Sequence, residues 1–145
     1  MATFTDNAGR TWAVSVTVDV VKRVRSLCGV DLCGVIAGDT MTKLADPVTL
    51  CDVLYAVCKP DADANGVSDA DFGRAMAGDA IANATRALLD EIVLFSPSPR
   101  DRENLRTVLT LADRVAEKAA TAQAETLAKP ETEAAVMKAL GLSGS

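Results

Sequence analysis

Between residues 3 and 16 apolar and polar positions alternate with period two. Phe4, Trp12, Val14 and Val16 stand against polar or small neighbours, and Asp6-Asn7-Ala8-Gly9 supplies turn chemistry between the two arms. This predicts a small β-hairpin. A lone hairpin is marginal in water, so Trp12 is expected to pack on a following helix. From Thr17 the period changes. Thr17 is placed to cap a helix over Val18–Cys28, with Val20, Val21, Val24 and Leu27 on its apolar face and Lys22, Arg23 and Arg25 on the other. Gly29 is placed to stop it. Residues 30–36 form a candidate third strand in which Val30, Leu32 and Val35 turn inward.

Met41 and Leu44 predict a short helical turn. Asp46 then caps a helix with Pro47 in its first position, and this helix is expected to end near Cys58, just before Pro60. Val48, Cys51, Leu54, Tyr55 and Cys58 share one face of it. Residues 61–68 read as a polar loop. Ser68 caps a short helix carrying Phe72 and Met76; Gly78 punctuates it, and Asp79 caps the next. Over residues 80–95, Ile81, Ala84, Leu88, Ile92 and Phe95 recur at three- and four-residue steps, broadened by Leu89 and Val93.

Ser96-Pro97-Ser98-Pro99 breaks the chain, because each proline biases its predecessor away from helical angles. Beyond it Leu105, Val108, Leu109, Ala112, Val115 and Ala119 outline a long helix reaching about residue 128. After Val115 its apolar positions are mostly Ala, a composition with high helix propensity that buries little area per turn. A last short helix over about 131–140 presents Val136, Met137 and Leu140, and a glycine- and serine-rich end is expected to be flexible. The predicted class is α+β, mainly α. A small N-terminal hairpin, with a candidate third strand, packs on a helical bundle, and a long Ala-rich helix follows. Residues 1–100 form the core domain, and residues 101–145 an arm or extension.

The 145 residues suit about one domain, and 49% apolar content supports a core without disulfides or metal. Fifteen Lys and Arg against twenty Asp and Glu give a net charge of -5, which offers no broad footprint for nucleic acid or an anionic membrane. Histidine is absent, removing Ser-His-Asp and Cys-His catalysis and nearly every catalytic zinc arrangement. No run of eighteen apolar residues predicts a transmembrane helix, and the first residues lack the blocks of a secretory signal, so a cytoplasmic protein is expected.

Asp61-Ala62-Asp63-Ala64-Asn65-Gly66-Val67-Ser68-Asp69 through Phe72 places oxygen ligands at positions 1, 3, 5 and 9 of a calcium loop, with Gly at 6. Position 12, which should be a bidentate Glu, is Phe72, and position 8 is Ser68. An EF-hand-like calcium-binding regulator therefore stands behind a simpler reading, in which Ser68, Asp69 and Asp71 favour the start of a helix. Cys28, Cys33, Cys51 and Cys58 have no C-x-x-C spacing. Cys51 and Cys58 read as buried apolar groups, and Cys28 and Cys33 as the more reactive thiols. No carboxylate pair or phosphate-binding glycine loop stands out. No catalytic residue, metal or cofactor is predicted. Lys22, Arg23 and Arg25 form a basic patch, either a solvated face or a docking site for an acidic partner. Leu105, Val108, Leu109 and Val115 are candidate anchors for another chain, or pack within the monomer.

The order of elements, carried by Gly9-Arg10-Thr11-Trp12-Ala13-Val14-Ser15-Val16-Thr17, Gly29-Val30-Asp31-Leu32, Leu44-Ala45-Asp46-Pro47, Asp52-Val53-Leu54-Tyr55, Gly66-Val67-Ser68-Asp69-Ala70-Asp71-Phe72-Gly73 and Val93-Leu94-Phe95, covers residues 4–118. It resembles the small tail assembly chaperones of long-tailed bacteriophages and prophages. That resemblance implies a non-enzymatic protein of the bacterial host cytoplasm that binds the helical tape measure protein, keeps its apolar stretches soluble and helps recruit tail tube subunits. It transfers no catalytic residues. A helical adaptor or scaffold unrelated to tails is the alternative.

Overall fold

The computed structural model describes residues 2–35, 38–128 and 130–141. Strands β1 (Ala2–Thr5) and β2 (Thr11–Val14) pair antiparallel with Phe4 opposite Trp12. Helices α1 (Val18–Cys28), α2 (Thr40–Leu44), α3 (Pro47–Ala64), α4 (Asp69–Arg74), α5 (Asp79–Phe95), α6 (Pro99–Ala128) and α7 (Pro130–Ala139) follow. The result is a mainly helical fold with a small N-terminal hairpin packed against a helical bundle. The chain divides into two compact units, Met1–Leu105 and Arg106–Ser145.

The hairpin is organised by Asp6, whose carboxylate takes four hydrogen bonds. Oδ1 accepts from the backbone N–H of Ala8 (3.0 Å) and Arg10 (2.9 Å), and Oδ2 from Arg10 Nε (3.0 Å) and Trp12 Nε1 (3.0 Å). Asp6 is only 5% exposed, so these bonds replace the water it has lost. Gly9 turns the chain at φ 81°, a left-handed angle that glycine adopts without strain. The tip is then tied down: Asn7 donates from its backbone to Ala75 O (2.9 Å) and from Nδ2 to Ala77 O (3.1 Å).

β1 packs on α5, and β2 on α3 and α5. The buried face of α5 includes Ala80, Ala84 and Ala87, and such small side chains let a strand approach closely. Phe72 stands fully buried at the centre of the unit. Trp12 meets it edge-on at 5.2 Å between ring centroids, and Tyr55 lies tilted at 5.5 Å. Edge-on and tilted pairs set a positive ring edge against a negative ring face. The position where a calcium loop requires Glu is therefore a core aromatic.

Most predicted caps form. Thr17 accepts from Val20 N, Asp46 from Val48 N with Pro47 first in the helix, Ser68 from Asp71 N, and Gly29 ends α1 at φ 67°. The cap of α5 is Gly78, however, and Asp79 is its first helical residue.

The candidate third strand is not formed over residues 30–35; Ile36 lies outside the described residues. Val30, Leu32 and Val35 are buried as expected, but the backbone turns. Asp31 Oδ1 accepts from Cys33 N, Gly34 N donates to Asp31 O, and Thr40 Oγ1 donates to the same carbonyl. A Cβ on Gly34 would lie 2.8 Å from Thr40 Oγ1, so this tight turn requires glycine.

The larger correction concerns Pro60. Helix α3 runs through it to Ala64, and the expected loop over 61–68 shortens accordingly. A proline inside a helix lacks the N–H that would bond the carbonyl four residues earlier, here Ala56. Arg23 of α1 supplies the missing donor: its Nη1 reaches Ala56 O at 2.9 Å and Val57 O at 3.2 Å. The helix survives its proline because a neighbouring helix satisfies the freed Ala56 carbonyl.

Two expected core positions face solvent: Leu27 of α1 and Val48 of α3. Ile81, Leu89 and Phe95 are half-buried, and the buried face of α5 also includes Glu91. In Arg106–Ser145, α6 continues to Ala128 and α7 matches the predicted last helix within a residue. The expected flexible end, residues 142–145, and the side chains of Leu127 and Val136 lie outside what is described.

Candidate functional site

The most apolar of the described clefts lies where α5 ends and α6 begins. Two prolines, Pro97 and Pro99, stop continuous helix between them, and Ser98 starts α6. Its backbone carbonyl accepts from Arg102 N (3.0 Å), and its hydroxyl faces Asp101 N at 3.4 Å. Arg102 Nη1 also bonds Ser96 O at 2.9 Å, bracing the corner. The cleft has a volume of about 250 Å³. Leu32, Cys33 and Val35 form one wall, Ile92, Phe95, Ser96 and Pro97 another, and Asp101 and Leu105 the third. Its floor is core: Leu32, Val35, Ile92 and Leu105 are all under 8% exposed. Phe95 is half-buried and lies outside the Trp12–Phe72–Tyr55 cluster.

The residues proposed from sequence as partner-binding fall in both units: Lys22, Arg23, Arg25 and Leu105 in the first, Val108, Leu109 and Val115 in the second. Leu105 is buried and lines the cleft. In the second unit Leu109 is half-buried, whereas Val108 and Val115 are 37% and 66% exposed. Lys22 is exposed. Arg23 is committed to the α3 carbonyls and to Asp19 Oδ2 at 3.0 Å. Arg25 pairs with Asp31 at 2.9 Å. Two of the three basic side chains therefore have ionic partners inside the fold.

The thiols are poorly suited to nucleophilic work. Cys33 is exposed and Cys28 half-buried, yet burial and nearby Asp carboxylates push both pKa values up: Asp31 acts on Cys33, and Asp52 and Asp69 on Cys28. Cys51 shifts the same way, and burial pushes Cys58 up to about 12. A raised value leaves less thiolate at neutral pH. Asp61 and Asp63 belong to the last turn of α3, where Asp63 pairs with Lys59 at 3.0 Å, so they do not occupy an extended calcium loop. Among the described residues no group of three or more Cys, Asp or Glu is placed to hold a metal ion.

The cleft was missed in the sequence because its walls come from two stretches far apart in the chain, residues 32–35 and 92–105. The signal available was the Ser-Pro-Ser-Pro break immediately after an aromatic, which read only as punctuation. Comparison with family models, curated proteins and solved structures finds no match to this chain. Among the described residues no helix is long and apolar enough to cross a membrane.

Proposed function

We propose that this protein is a non-enzymatic tail assembly chaperone of a phage-like particle. In this reading it binds a helical tape measure protein in the host cytoplasm and helps bring tail tube subunits to it. The observation that supports the reading best is the apolar cleft at the α5–α6 corner on a chain of net charge -5. An apolar surface of this kind can cover side chains of a client, while the like charge keeps the complex soluble. The exposed Val108, Leu111 and Val115 of α6 offer further apolar side chains on a helix of good intrinsic propensity. The resemblance in element order supplies the identity of the client.

The test is co-expression with a long helical tape measure fragment that is insoluble alone. Recovery of the fragment in the soluble fraction, co-migrating with this chain on size exclusion, is the expected result. A fragment that stays insoluble at equal expression removes the chaperone reading. Binding only to an already folded partner would favour an adaptor instead.

A further inference from the structure

We infer that the α5–α6 cleft receives an amphipathic helix with two aliphatic anchors one turn apart and a Lys or Arg beside them. The inference deepens the chaperone reading and rests on it for biological purpose, but not for its chemistry.

Two observations select this occupant. The first is the make-up of the walls. Among the described residues, apart from Ser96 and Asp101 they are thiol or hydrocarbon, with Leu32, Val35, Ile92, Phe95 and Leu105 dominant. A strand or irregular segment entering there would bring backbone N–H and C=O groups that need hydrogen-bond partners. A helix carries its backbone bonds within itself and presents only side chains. A cleft of about 250 Å³ accommodates a pair of aliphatic side chains, which a helix places together at i and i+4. The second observation is charge. Asp101 is the charged lining residue, it is exposed, and among the described residues its carboxylate makes no ion pair. A cation beside the anchors would answer it, and an acidic helix would be repelled both there and by the net charge of the chain. Phe95 is then the anchor-binding residue and Asp101 the residue that sets specificity.

The experiment uses the full chain and three fluorescein-labelled 18-residue helical peptides. Each carries Leu at i and i+4 on an Ala-rich background: one with Lys flanking the Leu pair, one with Glu there, and one Lys peptide with a central Pro. Fluorescence anisotropy is expected to show saturable binding of the Lys peptide, and weaker binding of the other two. Phe95→Glu should weaken the Lys peptide about tenfold or more. Asp101→Lys, an exposed substitution, should weaken it about two- to fivefold and shift preference to the Glu peptide. Methyl and aromatic NMR shifts of the unaltered chain should move at Val35, Ile92 and Phe95, a readout that needs no variant to fold.

Absence of saturable binding, or shifts confined to other surfaces, overturns the inference. Equal binding of Lys and Glu peptides by the unaltered chain and by Asp101→Lys overturns the assignment of a basic partner. If the peptides bind the cleft while a tape measure fragment stays insoluble, the chaperone reading fails alone. If the fragment is solubilised equally by the chain and by Phe95→Glu, the cleft inference fails alone.

Discussion

Met1–Leu105 and Arg106–Ser145 are both rich in helix, yet they are held in different ways. Among the described residues every buried large side chain belongs to the first unit, the last being Leu105. There helices form where caps and burial agree, and weak local preferences are overridden: α1 is dense in β-branched valine, and α3 contains a proline. In the second unit the described side chains from Arg106 onward are exposed or, at Leu109, half-buried, and Ala-rich propensity does most of the work. Burial therefore tolerates poor helix formers, whereas a helix that buries little of its own surface leans on intrinsic propensity.

The sharpest way to break the contrast is Phe72→Ala. Emptying the fully buried centre between Trp12 and Tyr55 should cost about 3–5 kcal/mol in urea unfolding. A loss below about 1 kcal/mol would mean that the aromatic cluster is not the keystone of the first unit.

Asp6→Asn should cost about 2–3 kcal/mol at neutral pH, since the carboxylate joins Trp12, Arg10 and the turn amides. Burial pushes the Asp6 carboxyl up, but the hydrogen bonds from Trp12 and Arg10 outweigh it and hold its pKa below the ordinary 3.8. A pKa lowered by folding stabilises the native state at pH above that ordinary value, and the contribution is lost as pH falls through the lowered one. Unfolding curves of the unaltered chain and Asp6→Asn should therefore converge in acid. A gap independent of pH would separate the effect from the charge.

Arg23→Met should cost about 1–2 kcal/mol by leaving the Ala56 carbonyl without its donor. In a Pro60→Ala background the same change should cost clearly less, because the restored N–H takes the Ala56 carbonyl. Equal costs in both backgrounds would disprove the coupling. The smallest effect belongs to the second unit. Val115→Ala should shift the unfolding midpoint by less than about 0.5 kcal/mol, and amides of residues 112–126 should exchange faster than those of α5. Protection equal to that of α5 would show that this helix is covered.

The first unit was legible where one residue and its immediate neighbours decide the outcome. The hairpin, the caps at Thr17, Asp46 and Ser68, and the stop at Gly29 all follow from side-chain oxygens or a left-handed angle within a few residues. Periodicity misplaced Leu27 and Val48 because it defines a face without saying how far neighbouring helices extend over it. The cleft was legible only in fragments. Leu105 was singled out as an apolar anchor, but Leu32, Phe95 and Asp101 had no local mark that would join them to it.

By itself the sequence determined the mainly helical class, the small sheet and most element ends, because caps, turns and hydrophobic period act over one or two turns of chain. Only the tertiary structure decided three further features: that a helix crosses Pro60, that the hairpin tip is tied down at Ala75 and Ala77, and that residues 32–35 meet the α5–α6 corner in a cleft. Each depends on a partner far away in the chain: Arg23 at the Ala56 carbonyl, the Ala75 and Ala77 carbonyls at Asn7, Leu32 with Phe95 in the cleft lining. A buried polar group is stable only when such a partner is brought to it, and that is settled when the elements pack.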